Sequence, residues 1–191
     1  MIVAITGTIG AGKSSVANYF KDKGFKVFDS DKMVHQYYEV DGLVYQWLKD
    51  RYQDTILHED KTLNRKALAA IVFQNEAELT ALEEVVFPIV KEEILELKDR
   101  HKDETIFVEV PLLFEAKFED IFDKIVVVDA FRKHRHHRLE NKGFSKKDVL
   151  GREKRQYGSL YKKKHADIVI NNNKDLDFLY KQLNKITKGG L

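Results

Sequence analysis

The chain has 191 residues, 43% of them hydrophobic and 34% charged, with a formal net charge of +2 and no cysteine. That balance suits a globular protein with room for one α/β domain and a sizeable core, and it excludes disulfides and thiolate metal sites, which fits a reducing compartment and a cytoplasmic location. No apolar run nears the roughly 20 residues needed to cross a bilayer and the first residues lack a charged n-region, so neither a membrane span nor a signal peptide is expected.

In chain order, Ile2-Val3-Ala4-Ile5 predicts a short buried strand that ends at Thr6-Gly7. A helical period begins at Lys13, with Val16, Ala17, Tyr19 and Phe20 apolar and Gly24 placed to cap it. Val27-Phe28 resumes strand character and runs into Asp29-Ser30-Asp31. Strand, glycine-rich loop, helix and strand make the opening βαβ of a parallel sheet. Residues 32 to about 100 read as almost wholly helical. Leu43, Val44, Trp47 and Leu48 share one face, while Leu79, Leu82, Val86, Ile89 and Val90 form a stripe continued by Ile94 and Leu97. Pro88 lies inside that stripe and predicts a kink or break. Strand signals return at residues 105–110, 125–129 and 168–170, and residues 176–186 predict a last amphipathic helix.

Charge is uneven along this order. Residues 132–164 hold 13 Lys/Arg against three acids, a local +10 that leaves −8 for the rest of the chain. Ser145-Lys146-Lys147-Asp148 predicts a capped helix start inside the segment. Such clustering points to a polyanionic partner, either nucleic acid or a polyphosphate ligand.

Gly7-Thr8-Ile9-Gly10-Ala11-Gly12-Lys13-Ser14 fits G-x-x-x-x-G-K-[ST] at every fixed position, between a predicted strand and a predicted helix. Glycines let the backbone approach phosphate, loop N–H groups face the β- and γ-phosphates, and the helix adds its positive end. Lys13 is placed to bridge β- and γ-oxygens, and the Ser14 hydroxyl to ligate Mg²⁺. The plain alternative is a glycine-rich turn that merely starts a helix. On the acceptor side, Asp29-Ser30-Asp31 follows the second strand, where a carboxylate can take a hydroxyl proton during attack on the γ-phosphorus; an N-cap accounts for the same residues equally well. Glu109 ends the next strand, at the place of an acid that holds magnesium through water, or faces solvent. Arg65 is a candidate for acceptor phosphate.

Taken together, these pieces resemble the dephospho-CoA kinase family. The similarity runs from the phosphate loop through Asp29-Ser30-Asp31 with His35, Leu63-Asn64-Arg65, and Val110-Pro111-Leu112-Leu113-Phe114-Glu115, to Arg138, Arg152, Gln156 and residues 166–171. The resemblance implies an α/β fold, a P-loop kinase-type parallel sheet flanked by helices. It implies one domain with a core at about 1–31, 104–131 and 166–191, a helical acceptor-binding insertion at about 32–103, and a basic helical lid at about 132–165. The implied reaction is ATP-dependent, Mg²⁺-assisted phosphorylation of the ribose 3′-hydroxyl of dephospho-CoA. Lys13 and Asp31 would be catalytic. Thr8, Ile9, Gly10, Ala11, Gly12, Lys13, Ser14 and Ser15 would hold ATP, together with the lid's Arg138 and Arg152, and Ser14 would ligate Mg²⁺. His35, Arg65, Pro111 and Leu112 would join Asp31 around the acceptor. The chain departs from the family pattern at Thr8, at Phe87 and at Arg135, and it is one residue short after Arg138.

Rival readings remain at this point. A kinase for nucleoside monophosphates or another small alcohol shares loop, sheet and lid. Asp148-Val149-Leu150-Gly151 matches a GTPase D-x-x-G, but no N-K-x-D follows it. Nucleic-acid binding rests on charge alone, since Phe131, Phe144, Tyr157 and Tyr161 form no evident stacking platform, so no nucleic-acid partner is expected. His134, His136 and His137, mixed with arginines, read as a solvated face rather than a metal site.

Overall fold

A computed structural model describes residues 1–189. The short apolar runs become the strands of one parallel sheet: β1 (Ile2–Thr6), β2 (Lys26–Asp29), β3 (Ile106–Glu109), β4 (Lys124–Asp129) and β5 (Ile168–Asn171). Their spatial order is β2-β3-β1-β4-β5. All five residues of β1 are buried, as the centre of a sheet covered on both faces requires. Ile5 is in register with Glu109 on one side and Val126 on the other, and Asp29 with Glu109. Winding therefore reverses at β1, and the crevice outside its carboxyl end is where such sheets place ligands.

The chain divides into two compact units, Met1–Asp29 with Leu97–Leu191, and Ser30–Glu96. In the first, α1 (Lys13–Asp22) buries Val16, Tyr19 and Phe20. Phe20 stacks on Phe107 of β3 with ring centroids 3.8 Å apart. Both rings are fully buried, so truncating either would cost about 3–5 kcal/mol. Gly24, at φ +87°, ends α1 with the paired bonds of a Schellman motif, Gly24 N–H to Lys21 O at 3.0 Å and Phe25 N–H to Phe20 O at 3.1 Å. The last helix, labelled α9 below, spans Leu176–Gly189 and turns Leu179, Leu183 and Ile186 onto the same core. Three further helices carry the basic segment: α6 (Arg132–Glu140), α7 (Lys146–Lys154) and α8 (Ser159–Lys164). Ser145 caps α7 as expected, its Oγ accepting from Asp148 N–H at 3.2 Å.

The second unit holds α2 (Ser30–Met33), α3 (Leu43–Tyr52), α4 (Arg65–Val72) and most of α5 (Glu76–Arg100), with 3-10 turns at Val34–Tyr38 and Gln53–Ile56. Val44, Leu48, Ile56, Leu68 and Val72 form its core. Two expectations are corrected here. The helix is not broken at Pro88, because Leu82, Val85, Val86 and Ile89 pack into one core on both sides of it and offset the roughly 3 kcal/mol that an interior proline costs. Leu43 is 68% exposed, one position off the Val44/Leu48 stripe that is buried. The unit is otherwise almost wholly helical, with Leu57 and Leu63 pairing as an isolated antiparallel bridge. Among the described residues no helix is long and apolar enough to cross a membrane.

Candidate active site

The loop between β1 and α1 is shaped by its own main chain and by what stands behind it. Ala11 N–H bonds Thr8 O at 3.1 Å, and Ser15 and Val16 N–H bond Gly12 O at 3.1 and 3.3 Å. The glycines answer to the protein as well as to a ligand. A Cβ on Gly7 would stand 2.3 Å from Val128 O, and one on Gly12, at φ +100°, 2.1 Å from Asn172 Nδ2. Asn172, buried just after β5, donates from that nitrogen to Ala11 O at 2.8 Å. The sequence reading turned all loop N–H groups toward phosphate; the amides of Ile9 and Ala11 are taken instead by Gln156 Oε1 and Thr8 O. The amides of Gly10 and Gly12 in the loop and of Ser14 in the first turn of α1 are candidates for anion binding.

Lys13 Nζ donates to Gly7 O at 3.2 Å, which folds its ammonium back over the loop. Ser14 Oγ donates to Glu109 Oε1 at 3.3 Å. Glu109, whose place at the end of β3 left two readings open, thus meets the loop's hydroxyl rather than facing away from it. Hydroxyl and carboxylate oxygens, with Asp29 in register beside Glu109, make the hard oxygen donor set that suits Mg²⁺. Ser14 and Glu109 are the residues that would hold it.

In the second unit a cavity of about 220 Å³ is lined by Asp31, His35, Tyr38 and Arg65 among its polar groups. Leu63, Leu68, Val72 and Leu82 supply apolar wall. Asn64 caps α4, its Oδ1 accepting from Ala67 N–H at 3.0 Å, which fixes the first turn that carries Arg65. Arg65 Nη1 meets His35 Nε2, and the guanidinium lies 5.8 Å from the Tyr38 ring centre. Arginine has only donors, so in this contact His35 Nε2 is the acceptor. Burial pushes the Tyr38 phenol up to about 12, aided by the Asp31 charge and opposed by Arg65. Near neutral pH the cavity therefore presents a cation, a phenolic donor and an oxygen acceptor over apolar wall.

A family model for dephospho-CoA kinase matches residues 1–177. The chain belongs to the dephospho-CoA kinase family. It is 35% identical over 185 residues to the dephospho-CoA kinase of Aquifex aeolicus, across 96% of this chain and 94% of that one. It is 34% identical over 191 residues to that of Fusobacterium nucleatum, across 97% and 96%. Among solved structures it resembles the dephospho-CoA kinase of Campylobacter jejuni, with a TM-score of 0.71 at 26% identity, over all of this chain and 98% of that one. A shikimate kinase from Acinetobacter baumannii, at 14% identity and TM-score 0.55, shares the fold, and covers 100% of this chain and 94% of its own. The fold is the P-loop kinase-type α/β sheet.

The other positions that mark this dephospho-CoA kinase family chain fall as follows. Pro111 and Leu112 are half-buried after β3, with Pro111 O 3.5 Å from Lys162 Nζ, while Leu113 and Phe114 beside them are core. Arg138 reaches the phosphate loop, but its Nη groups donate to main-chain oxygens, Gly10 at 3.4 Å, Ala11 at 3.3 Å and Asn172 at 2.8 Å. Burial lowers its basicity from the ordinary arginine value. Arg152 lies 5.3 Å from the Phe144 ring centre on α7. Arg132, Arg135 and His136 converge on Glu153 at 2.9, 2.9 and 3.1 Å. Arg132, Arg135 and Arg138 thus have partners within the chain, with Arg135 buried and Arg132 exposed.

Sequence reasoning missed Asn172 and Tyr38. A buried asparagine one residue past a strand end carries no motif. Tyr38 follows His35 by three residues in a run with no clear period, and only the fold turns it into the cavity.

Proposed function

We propose that this chain transfers the γ-phosphoryl group of ATP to the ribose 3′-hydroxyl of dephospho-CoA, giving coenzyme A and ADP, in the cytoplasm. The observation that carries this is the phosphate loop whose Ser14 hydroxyl meets Glu109, in a chain of the dephospho-CoA kinase family. The loop residues 8–15 hold the triphosphate, with Lys13 neutralising β- and γ-oxygens as charge develops. Ser14 and Glu109 would hold Mg²⁺, which would supply further charge neutralisation at the phosphates. In the second unit Asp31 accepts the proton of the 3′-hydroxyl as its oxygen bonds to phosphorus and the bond to the ADP oxygen breaks. Arg65, with His35 and Tyr38 beside it, holds phosphate of the acceptor; Pro111 and Leu112 complete its apolar contacts.

We further assign residues 32–103 as the acceptor-binding insertion and 132–165 as the lid, with Arg152 as its phosphate-facing arginine. Nucleic acid is not a partner in this reading, and the internal use of Arg132, Arg135 and Arg138 supports that. The test is incubation of purified protein with ATP, Mg²⁺ and dephospho-CoA, with mass detection of coenzyme A. Shikimate and nucleoside monophosphates serve as competing acceptors. Product from one of those and none from dephospho-CoA would overturn the assignment.

A further inference from the structure

The basic segment grips one residue of the phosphate loop from both sides. Ile9 N–H donates to Gln156 Oε1 at 2.8 Å, and Ile9 O accepts from Arg135 Nη1 at 3.0 Å. These are the two peptide groups that flank a single Cα, held by side chains 21 positions apart in sequence. One grip comes from α6 and the other from just beyond the end of α7, so the intervening segment is joined to Ile9 at two points.

Each grip is itself supported. Arg135 is 7% exposed, its Nε donates to Ala130 O at 3.2 Å, and its Nη1 pairs with Glu153 at 2.9 Å. Its donors serve main-chain oxygens and one carboxylate, which makes it a shaping group rather than a phosphate ligand. It also limits the loop sterically, since a Cβ on Gly10 would stand 2.8 Å from Arg135 O. Gln156 is aimed by its neighbour. Tyr157 N–H donates to Glu115 Oε1 at 2.7 Å, and Glu115 pairs with the fully buried Lys162 at 2.8 Å. The final glutamate of Val110-Pro111-Leu112-Leu113-Phe114-Glu115 thereby acts on the phosphate loop through two main-chain steps.

We propose that Arg135 and Gln156 are positioning residues that preset the nucleotide site by fixing the main chain on either side of Ile9. Amides that follow, those of Gly10, Gly12 and Ser14, then meet phosphate without first having to be ordered. Ordering a loop on binding weakens affinity, and preorganisation removes that loss. The inference rests on the reading of this loop as the ATP site.

The test uses Gln156→Leu, which keeps the size but not the acceptor, and Arg135→Lys, which keeps the charge but not the fork. Affinity for ADP and ATP is measured by calorimetry, alongside both KM values and the melting temperature. Each single change is expected to weaken nucleotide binding by about 5- to 10-fold, the range of one hydrogen bond, with KM for dephospho-CoA within about twofold. The double variant is expected to lose less than the product of the two, because both act on one residue. Nucleotide affinity within about twofold of wild type in either folded variant overturns the proposal. So does a fall in melting temperature with affinity unchanged, or an equal rise in both KM values. Should a variant not fold, hydrogen exchange in the wild-type chain decides: the Ile9 amide exchanges slowly before nucleotide is added, and fast exchange there overturns the idea. Calorimetry with ADP needs no acceptor, so it reports on the loop even if dephospho-CoA proves not to be the substrate.

Discussion

Gly12→Ala brings two separable effects to the phosphate loop. An alanine at φ +100° stands in a sparsely populated backbone region, at about 1–3 kcal/mol. Its methyl would also lie 2.1 Å from Asn172 Nδ2, so the amide must move and give up its 2.8 Å bond to Ala11 O. That bond is worth about 1 kcal/mol net, which brings the expected total to about 2–4 kcal/mol. Asn172→Ala alone removes the bond without orphaning the carbonyl, since Arg138 Nη1 remains 3.3 Å from Ala11 O; its loss should stay near 1 kcal/mol. In the double variant the overlap is gone, and backbone strain and a single loss of the Asn172–Ala11 bond are left. The pair should therefore destabilise by about 1 kcal/mol less than the two singles added together. Urea unfolding of the four proteins, repeated as ADP affinity by calorimetry, measures this coupling. If Gly12→Ala costs the same with and without Asn172, the side chain does not back the loop, and the explanation given for Gly12 fails.

Three further outcomes follow from the site. Lys13→Ala should abolish phosphoryl transfer, read as coenzyme A formed, because its ammonium is the group that neutralises the β- and γ-oxygens as charge develops. Asp31→Asn should leave ATP affinity within about twofold and lower kcat by about 10²-fold or more, the range for a positioned base; near-normal turnover removes that role from Asp31. Glu153→Gln tests the ion network of the basic segment through pH. Burial pushes the Glu153 carboxyl up, but Arg132, His136 and Arg135 outweigh it and hold it below the ordinary glutamate value. A depressed folded value stabilises above the unfolded one and is lost as pH falls through the folded one. The melting-temperature advantage of wild type over Glu153→Gln should thus be full near pH 7 and fade below about pH 4; a gap that stays constant down to pH 3 would show that the charge contributes nothing.

The sheet was legible because its signal is local. Ile2-Val3-Ala4-Ile5 needs burial on both faces, and the fold gives all four residues that place. Gly24 could be read as a cap because αL geometry after a helix is nearly glycine's own. Pro88 could not be read correctly, because a local rule about the missing N–H says nothing of the apolar contacts on both sides of it that outweigh the loss. Leu43 shows the same limit in small: a stripe drawn from periodicity is uncertain by one position, and one position is the difference between core and solvent.

At the site the division is sharper. Lys13, Ser14 and the glycines announce themselves by spacing. The groups that shape their loop come from residues 135, 138, 156 and 172, more than 120 positions away, and have no spacing to announce. A phosphate loop in isolation is a flexible run of small residues, and its amides converge only if something holds the turns between them. Here carbonyls of residues 9 to 11 take donors from Arg135, Arg138 and Asn172, and the backs of Gly7 and Gly12 are closed by Val128 O and Asn172. The glycines are therefore demanded twice, by the chain behind them as well as by the phosphates in front. That is why a methyl at Gly12 should disturb the loop, and why its damage should not add in full to the loss from cutting back Asn172 behind it.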